Sequence, residues 1–198
     1  MDSIRNNMPG FRAAITASVL VAVMPTMAMA HTGELAHSHG GIMAGLMHPV
    51  TGLDHLVALM LFGALLVGTS RKAQGLGFIA AGASLLVGFV AGMSLGMSGA
   101  MEWLITASAV VFAAALAFPG SLRGRMAAVL AAVLAAHGWA HGAEMIGSVA
   151  GFGAGFMAAS VLLMLAGMLL GKGLQPLVPA LRAVVAGTAA TLLMLAAG

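Results

Sequence analysis

The chain has 198 residues, 61% of them hydrophobic and 7% charged, with a formal net charge of +3. A mean hydropathy of +1.08 at so low a charge density excludes a water-soluble domain and indicates an all-α, polytopic membrane protein. The pI near 10.7 reflects eight Lys and Arg against five acids rather than a basic patch, which excludes nucleic acid as a partner; the absence of cysteine excludes disulfides, thiolate metal sites and c-type haem attachment.

Residues 1–30 read as a cleaved secretory signal peptide. Arg5 and Arg12 form a positive n-region, "AAITASVLVAV" is a short apolar h-region, and "AMA" ending at Ala30 supplies small residues at the cleavage positions. A cut after Ala30 makes His31 the new N-terminus, where amine and ring together can chelate a metal. Residues 31–41, "HTGELAHSHGG", then read as a short periplasmic tail with His31, His37 and His39 as candidate capture ligands.

Six apolar runs follow, at 42–69, 73–94, 101–118, 126–146, 150–171 and 177–197. Each is close to the ~20 residues that cross a bilayer core. The separators, among them "SRKAQG", "PGSLRGR" and "GKGLQPLVP", are too short to hold a soluble domain, so residues 42–198 are expected to form one transport domain of six transmembrane helices. The six Lys and Arg beyond the signal, Arg71, Lys72, Arg123, Arg125, Lys172 and Arg182, fall in or beside connections 1–2, 3–4 and 5–6. The positive-inside rule places those connections in the cytoplasm and both termini in the periplasm of a bacterial inner membrane.

In that topology His48, Asp54 and His55 lie in the outer part of the first span, and Glu102 lies at the outer end of the third. His137, His141 and Glu144 approach the outer face in the fourth. Ionisable groups cost several kcal/mol each against lipid, so seven of them at one level are expected to face the bundle interior and one another. "HGWAHGAE" sets His137, His141 and Glu144 at i, i+4 and i+7, one face of a helix. In "HPVTGLDH" Pro49 and Gly52 interrupt the helical pattern between His48 and Asp54, which predicts a break or re-entrant start whose freed carbonyls could add ligands. Imidazole and carboxylate without thiolate suit Ni²⁺, Co²⁺, Zn²⁺, Cu²⁺ or Fe²⁺ without choosing among them. Met93, Met97 and Met101 recur every four residues around the second outer connection. They could greet Cu⁺, although Met is an ordinary packing residue in an apolar bundle.

"HPVTGLDH" resembles the His-Pro-x-x-Gly-x-Asp-His signature of the HupE/UreJ family of nickel permeases, and the signal, the His-bearing tail, the six spans and "HGWAHGAE" are similar over essentially the whole chain. The resemblance implies a permease importing Ni²⁺, or Co²⁺, with His48, Asp54, His55, Glu102, His141 and Glu144 as functional residues; His137 is added on helical spacing. It implies no prosthetic group and no enzymatic activity. Beyond the bilayer and the ion, the candidate partners are further copies of the chain and nickel-enzyme maturation proteins. A copper, zinc or iron permease of the same architecture is the alternative within this class. An intramembrane zinc hydrolase is the alternative outside it, disfavoured because no Ser stands near the cluster in a motif. A b-type haem protein and a purely structural subunit complete the competing readings. No ATP-binding loop of the Gly-rich Lys-Ser/Thr type occurs, so the driving force must be the membrane potential, a proton gradient or a partner.

Overall fold

A computed structural model describes residues 40–177 and 179–180. The expected signal peptide, the tail with His31, His37 and His39, Arg182 and nearly all of the sixth apolar run lie outside the described residues. The described residues from Gly40 to Gly173 fall within one compact unit. That unit holds the site.

Among the described residues the chain is all-helical. The order is α1 (Gly40–Thr51), α2 (Leu53–Leu65), α3 (Arg71–Leu95), α4 (Gly99–Ala115), α5 (Gly120–Val133), α6 (Ala135–Ala143) and α7 (Val149–Leu174), followed by a 3₁₀ turn at Gln175–Leu177. Among the described residues, three stretches are long and apolar enough to cross a membrane: Arg71–Leu95, Gly120–Ala143 and Val149–Gly173. The pair α1–α2, bent by 80° at its break, makes a fourth if counted as one broken span. Helix α4 has 17 residues, about 25 Å of rise against a hydrocarbon core of ~30 Å.

The ends of these helices are set by local chemistry. Ser70 opens α3 by accepting the Ala73 N–H at 3.2 Å, and Ser148 opens α7 by accepting that of Gly151 at 3.0 Å. Past the end of α2, Gly68 takes φ +76°, a conformation that side chains rarely adopt. Between α5 and α6 the ladder tightens for one step, the Leu134 N–H bonding to the Ala131 carbonyl at 3.0 Å before the regular pattern resumes from Gly138.

Close packing comes from glycines that bring backbone onto backbone. A Cβ on Gly88 or Gly92 of α3 would collide with the carbonyls of Ala135 and Trp139 on α6. In return, a Cβ on Gly138 or Gly142 would collide with the carbonyls of Leu85 and Phe89 on α3. Helix α7 meets α1 the same way through Gly45 and Gly155, and meets α2 through Gly63 and Gly167. Around these contacts the core is filled by Leu59, Phe62, Leu85, Phe89, Phe112, Leu134, Phe152, Phe156 and Met164. Met93 packs against this core, and Met101 against Ile105, Ala136 and Ala140.

The helix order puts the described basic residues at one end. Arg71 and Lys72 begin α3, the Arg123 side chain reaches the Val67 carbonyl at 2.8 Å, and Gly171, beside Lys172, lies against Ala64 and Val67. Arg123 is only 4% exposed. The sequence suggests a solvated loop cation; in the structure it is a buried donor to the carbonyl that follows α2.

Glycine spacing at the α3–α6 contact generates a stability prediction. Gly138→Ala and Gly92→Ala should each lower the stability of the detergent-purified protein by about 1–3 kcal/mol, read as a fall in thermal unfolding temperature. Gly75→Ala, whose new methyl meets nothing within 4 Å, should be neutral or slightly stabilising.

Candidate functional site

The break between α1 and α2 is built by two residues with different tasks. Pro49, fully buried in the last turn of α1, has no N–H to continue the helical ladder. Gly52 then takes φ −84° and ψ 108°, an extended conformation open to any residue. Glycine leaves room there: a Cβ would stand 3.2 Å from both Asp54 Oδ1 and His55 Nδ1, closer than ordinary contact. The carbonyls of Met47 and His48 do not remain free as ligands. The Gly52 N–H bonds to His48 O at 3.3 Å, and the Thr51 hydroxyl lies within 3.2 Å of both oxygens.

Beyond the bend, Asp54 sits in the first turn of α2, where a carboxylate is favoured by the helix dipole. Its Oδ1 accepts the backbone N–H of His55 and contacts His55 Nδ1, both at 2.9 Å. On α1, His48 Nε2 lies 2.9 Å from Glu144 Oε2, an ion-pair geometry that ties the last turn of α1 to the residue capping α6. The two carboxylate side chains are 43% and 42% exposed, whereas His137 and His141 are 0% and 1% exposed. Carboxylates therefore mark the mouth, and imidazoles lie behind them.

The four histidines adjoin one another. Ring centroids of His48 and His141 are 4.8 Å apart, those of His55 and His141 4.4 Å, and those of His55 and His137 4.8 Å. Phe156 backs His141 at 4.3 Å and Phe152 flanks His48 at 5.6 Å. Four nitrogens in this group, His55 Nε2, His137 Nδ1 and both of His141, are buried without a hydrogen-bond partner. Buried unpaired polar atoms are costly in a core that could hold carbon instead. Among the described residues, no three His, Asp or Glu side chains surround a common point as a preformed metal centre. Two of the ring pairs pack edge to face and the third is tilted by 44°, all in direct contact, so a guest would have to part them.

Six of the seven residues expected at the site are thus brought together: His48, Asp54, His55, His137, His141 and Glu144. Glu102 is not. It lies in the first turn of α4, exposed, and its carboxylate has no hydrogen bond or ion pair with any described residue. One residue was missed. Ser108, fully buried on α4, places Oγ 2.7 Å from His137 Nε2, so a serine does stand beside the cluster. Its signal was the buried face Ile105, Ser108, Phe112 and Ala115, on which Ser108 is the one polar member.

The HupE/UreJ protein family matches residues 10–197. The chain belongs to the HupE/UreJ family. No curated protein and no solved structure matches it. Membership of HupE/UreJ, a family of transporters and accessory proteins, together with the apolar helices, makes this a membrane protein and points to a role in metal transport. Donors of the kind such a role needs, imidazole nitrogens backed by carboxylates, are what the cluster contains.

The unpartnered nitrogens of His141 carry a prediction. His141→Leu should raise the unfolding temperature of the metal-free protein, by the equivalent of about 1–3 kcal/mol, because it removes two buried unpaired polar atoms. A fall in stability would show that His141 is held by partners of its own.

Proposed function

We propose that the protein is a permease that carries a divalent transition-metal ion inward across a bacterial inner membrane, with Ni²⁺ as the first candidate and Co²⁺ as the second. The observation that carries this reading is the set of four adjoining histidines, three of which (His55, His137 and His141) hold buried nitrogens without a partner, lying behind Asp54 and Glu144. A cation arriving at the mouth meets negative charge first and ligand nitrogen next. His55 is oriented by Asp54 and His48 by Glu144, the way carboxylates orient histidines that bind metal.

The polar mouth and the basic end lie at opposite ends of α2, which runs from the Asp54–His55 pair toward Val67 and Arg123. With the basic end in the cytoplasm, the mouth opens to the periplasm. The tail bearing His31, His37 and His39 would then deliver ions to it, and Glu102, exposed at the start of α4, would attract cations without holding them. A doubly charged ion moving inward gains about 4.6 kcal/mol per 100 mV of inside-negative potential, so facilitated passage needs no nucleotide.

A serine beside a histidine also invites a hydrolase reading, but the hydrogen bonds run the wrong way. A nucleophilic serine gives its proton to the imidazole. Ser108 Oγ lies 2.6 Å from the Ile105 carbonyl, which can only accept, so its proton is directed there. Its full burial also denies access to a substrate.

Uptake of radioactive nickel into cells lacking their own importers tests the permease reading. Uptake should depend on the intact protein and fall at least tenfold in Asp54→Asn at equal membrane abundance, since Asn keeps an acceptor for His55 Nδ1 but loses the charge. It should also fall when the membrane potential is collapsed, and excess cobalt should compete better than zinc or copper. Nickel entry unaffected by Asp54→Asn would place the ion path elsewhere.

A further inference from the structure

We propose that Ser108 is a positioning residue that fixes the tautomer of His137, so that Nε2 carries the proton and Nδ1 presents the lone pair. Its use in metal binding rests on the permease reading; the tautomer itself does not.

The argument is one of proton counting. A serine hydroxyl has one proton and two lone pairs. Ser108 Oγ is 2.6 Å from Ile105 O and 2.7 Å from His137 Nε2, and all of Ser108 and His137 is buried. The Ile105 carbonyl can only accept, so the Ser108 proton lies on that contact. Toward His137 the hydroxyl must then accept, which requires an N–H at Nε2. A neutral imidazole protonated at Nε2 has its lone pair at Nδ1, and His137 Nδ1 is a buried nitrogen with no partner. The opposite tautomer would set the Nε2 lone pair against a hydroxyl lone pair and leave an N–H unsatisfied at Nδ1.

His55 is set the other way. Its Nδ1–H is held by Asp54 and its Nε2 is unpartnered. The rings of His55 and His137 stand perpendicular, 90° apart with centroids at 4.8 Å, and different acceptors have given them opposite tautomers. The choice of acceptor follows depth. Asp54 is 43% exposed and keeps its charge hydrated, whereas the position of Ser108 is sealed and would make a carboxylate costly. A hydroxyl orients the ring without adding charge to the deepest part of the site.

The test uses the full chain in detergent, metal-free, with ¹⁵N-labelled histidine side chains and His137 assigned by signals lost in His137→Gln. The expected spectrum has a protonated Nε2 and an unprotonated Nδ1. Ser108→Ala should mix or invert the two forms and weaken Ni²⁺ binding, measured by equilibrium dialysis, by about 10–100-fold. Ser108→Thr, which restores the hydroxyl, should recover both. Protonated Nδ1 in the unsubstituted protein overturns the proposal, even if Ser108→Ala does not fold. An unchanged tautomer in Ser108→Ala also overturns it, and a changed tautomer with unchanged Ni²⁺ affinity overturns its use in metal binding. A correct tautomer in a protein that binds neither Ni²⁺ nor Co²⁺ sinks the permease reading instead.

Discussion

The contact between α3 and α6 is the constraint from which the site follows. Lipid is as apolar as the helices it surrounds, so helices in a bilayer associate through close packing rather than through exclusion from water. Gly88 and Gly92 on one side, and Gly138 and Gly142 on the other, let the two backbones touch at four places. Each glycine of α6 directly follows a histidine, His137 before Gly138 and His141 before Gly142. One residue along a helix is a rotation of about 100°. Seating the glycines on α3 therefore turns both imidazoles to the adjoining sector, where α1, α2 and α4 supply His48, His55 and Ser108. The repeated His-Gly pair writes a packing face and an imidazole face into the same nine residues.

A second constraint is hydration. The cluster is graded from half-exposed carboxylates to fully buried imidazoles, and each charged group keeps water on one side. Burying a carboxylate beside His137 would carry a desolvation cost that a hydroxyl avoids. Polar groups in this bundle are thus sorted by how much water each needs, and the sorting produces a funnel.

Much of this was legible in the sequence because it rests on short-range rules. Pro49 and Gly52 announce a break, and i, i+4, i+7 spacing puts His137, His141 and Glu144 on one face. Both expectations describe the helices as they stand, although the glycine serves the space around Asp54 and His55 rather than an unusual dihedral. What was illegible depends on neighbours far along the chain. Depth in the bilayer put Glu102 with the histidines, but depth says nothing about rotation, and its carboxylate stays exposed. Arg123 reads as a loop charge until the Val67 carbonyl, 56 residues away, is found within its reach. Ser108 carries no motif, and a serine in an apolar helix ordinarily bonds its own backbone. It does so here too, and the same proton placement makes it an acceptor for His137.

The elbow at Gly52 divides the histidines into two mechanical classes. His55 moves with α2 and is clasped by its own neighbour Asp54, so any displacement of α2 carries that pair as a unit. His48 rides on α1, and its clasp, Glu144, caps α6, so a swing of α1 at the elbow would stretch that bridge and leave the α2 pair intact. A hinge of this kind can change the number of imidazoles facing a guest by one without disturbing the rest. In the proposed permease, shedding a single ligand would be a small and reversible step, suited to an ion that must be gripped and then let go.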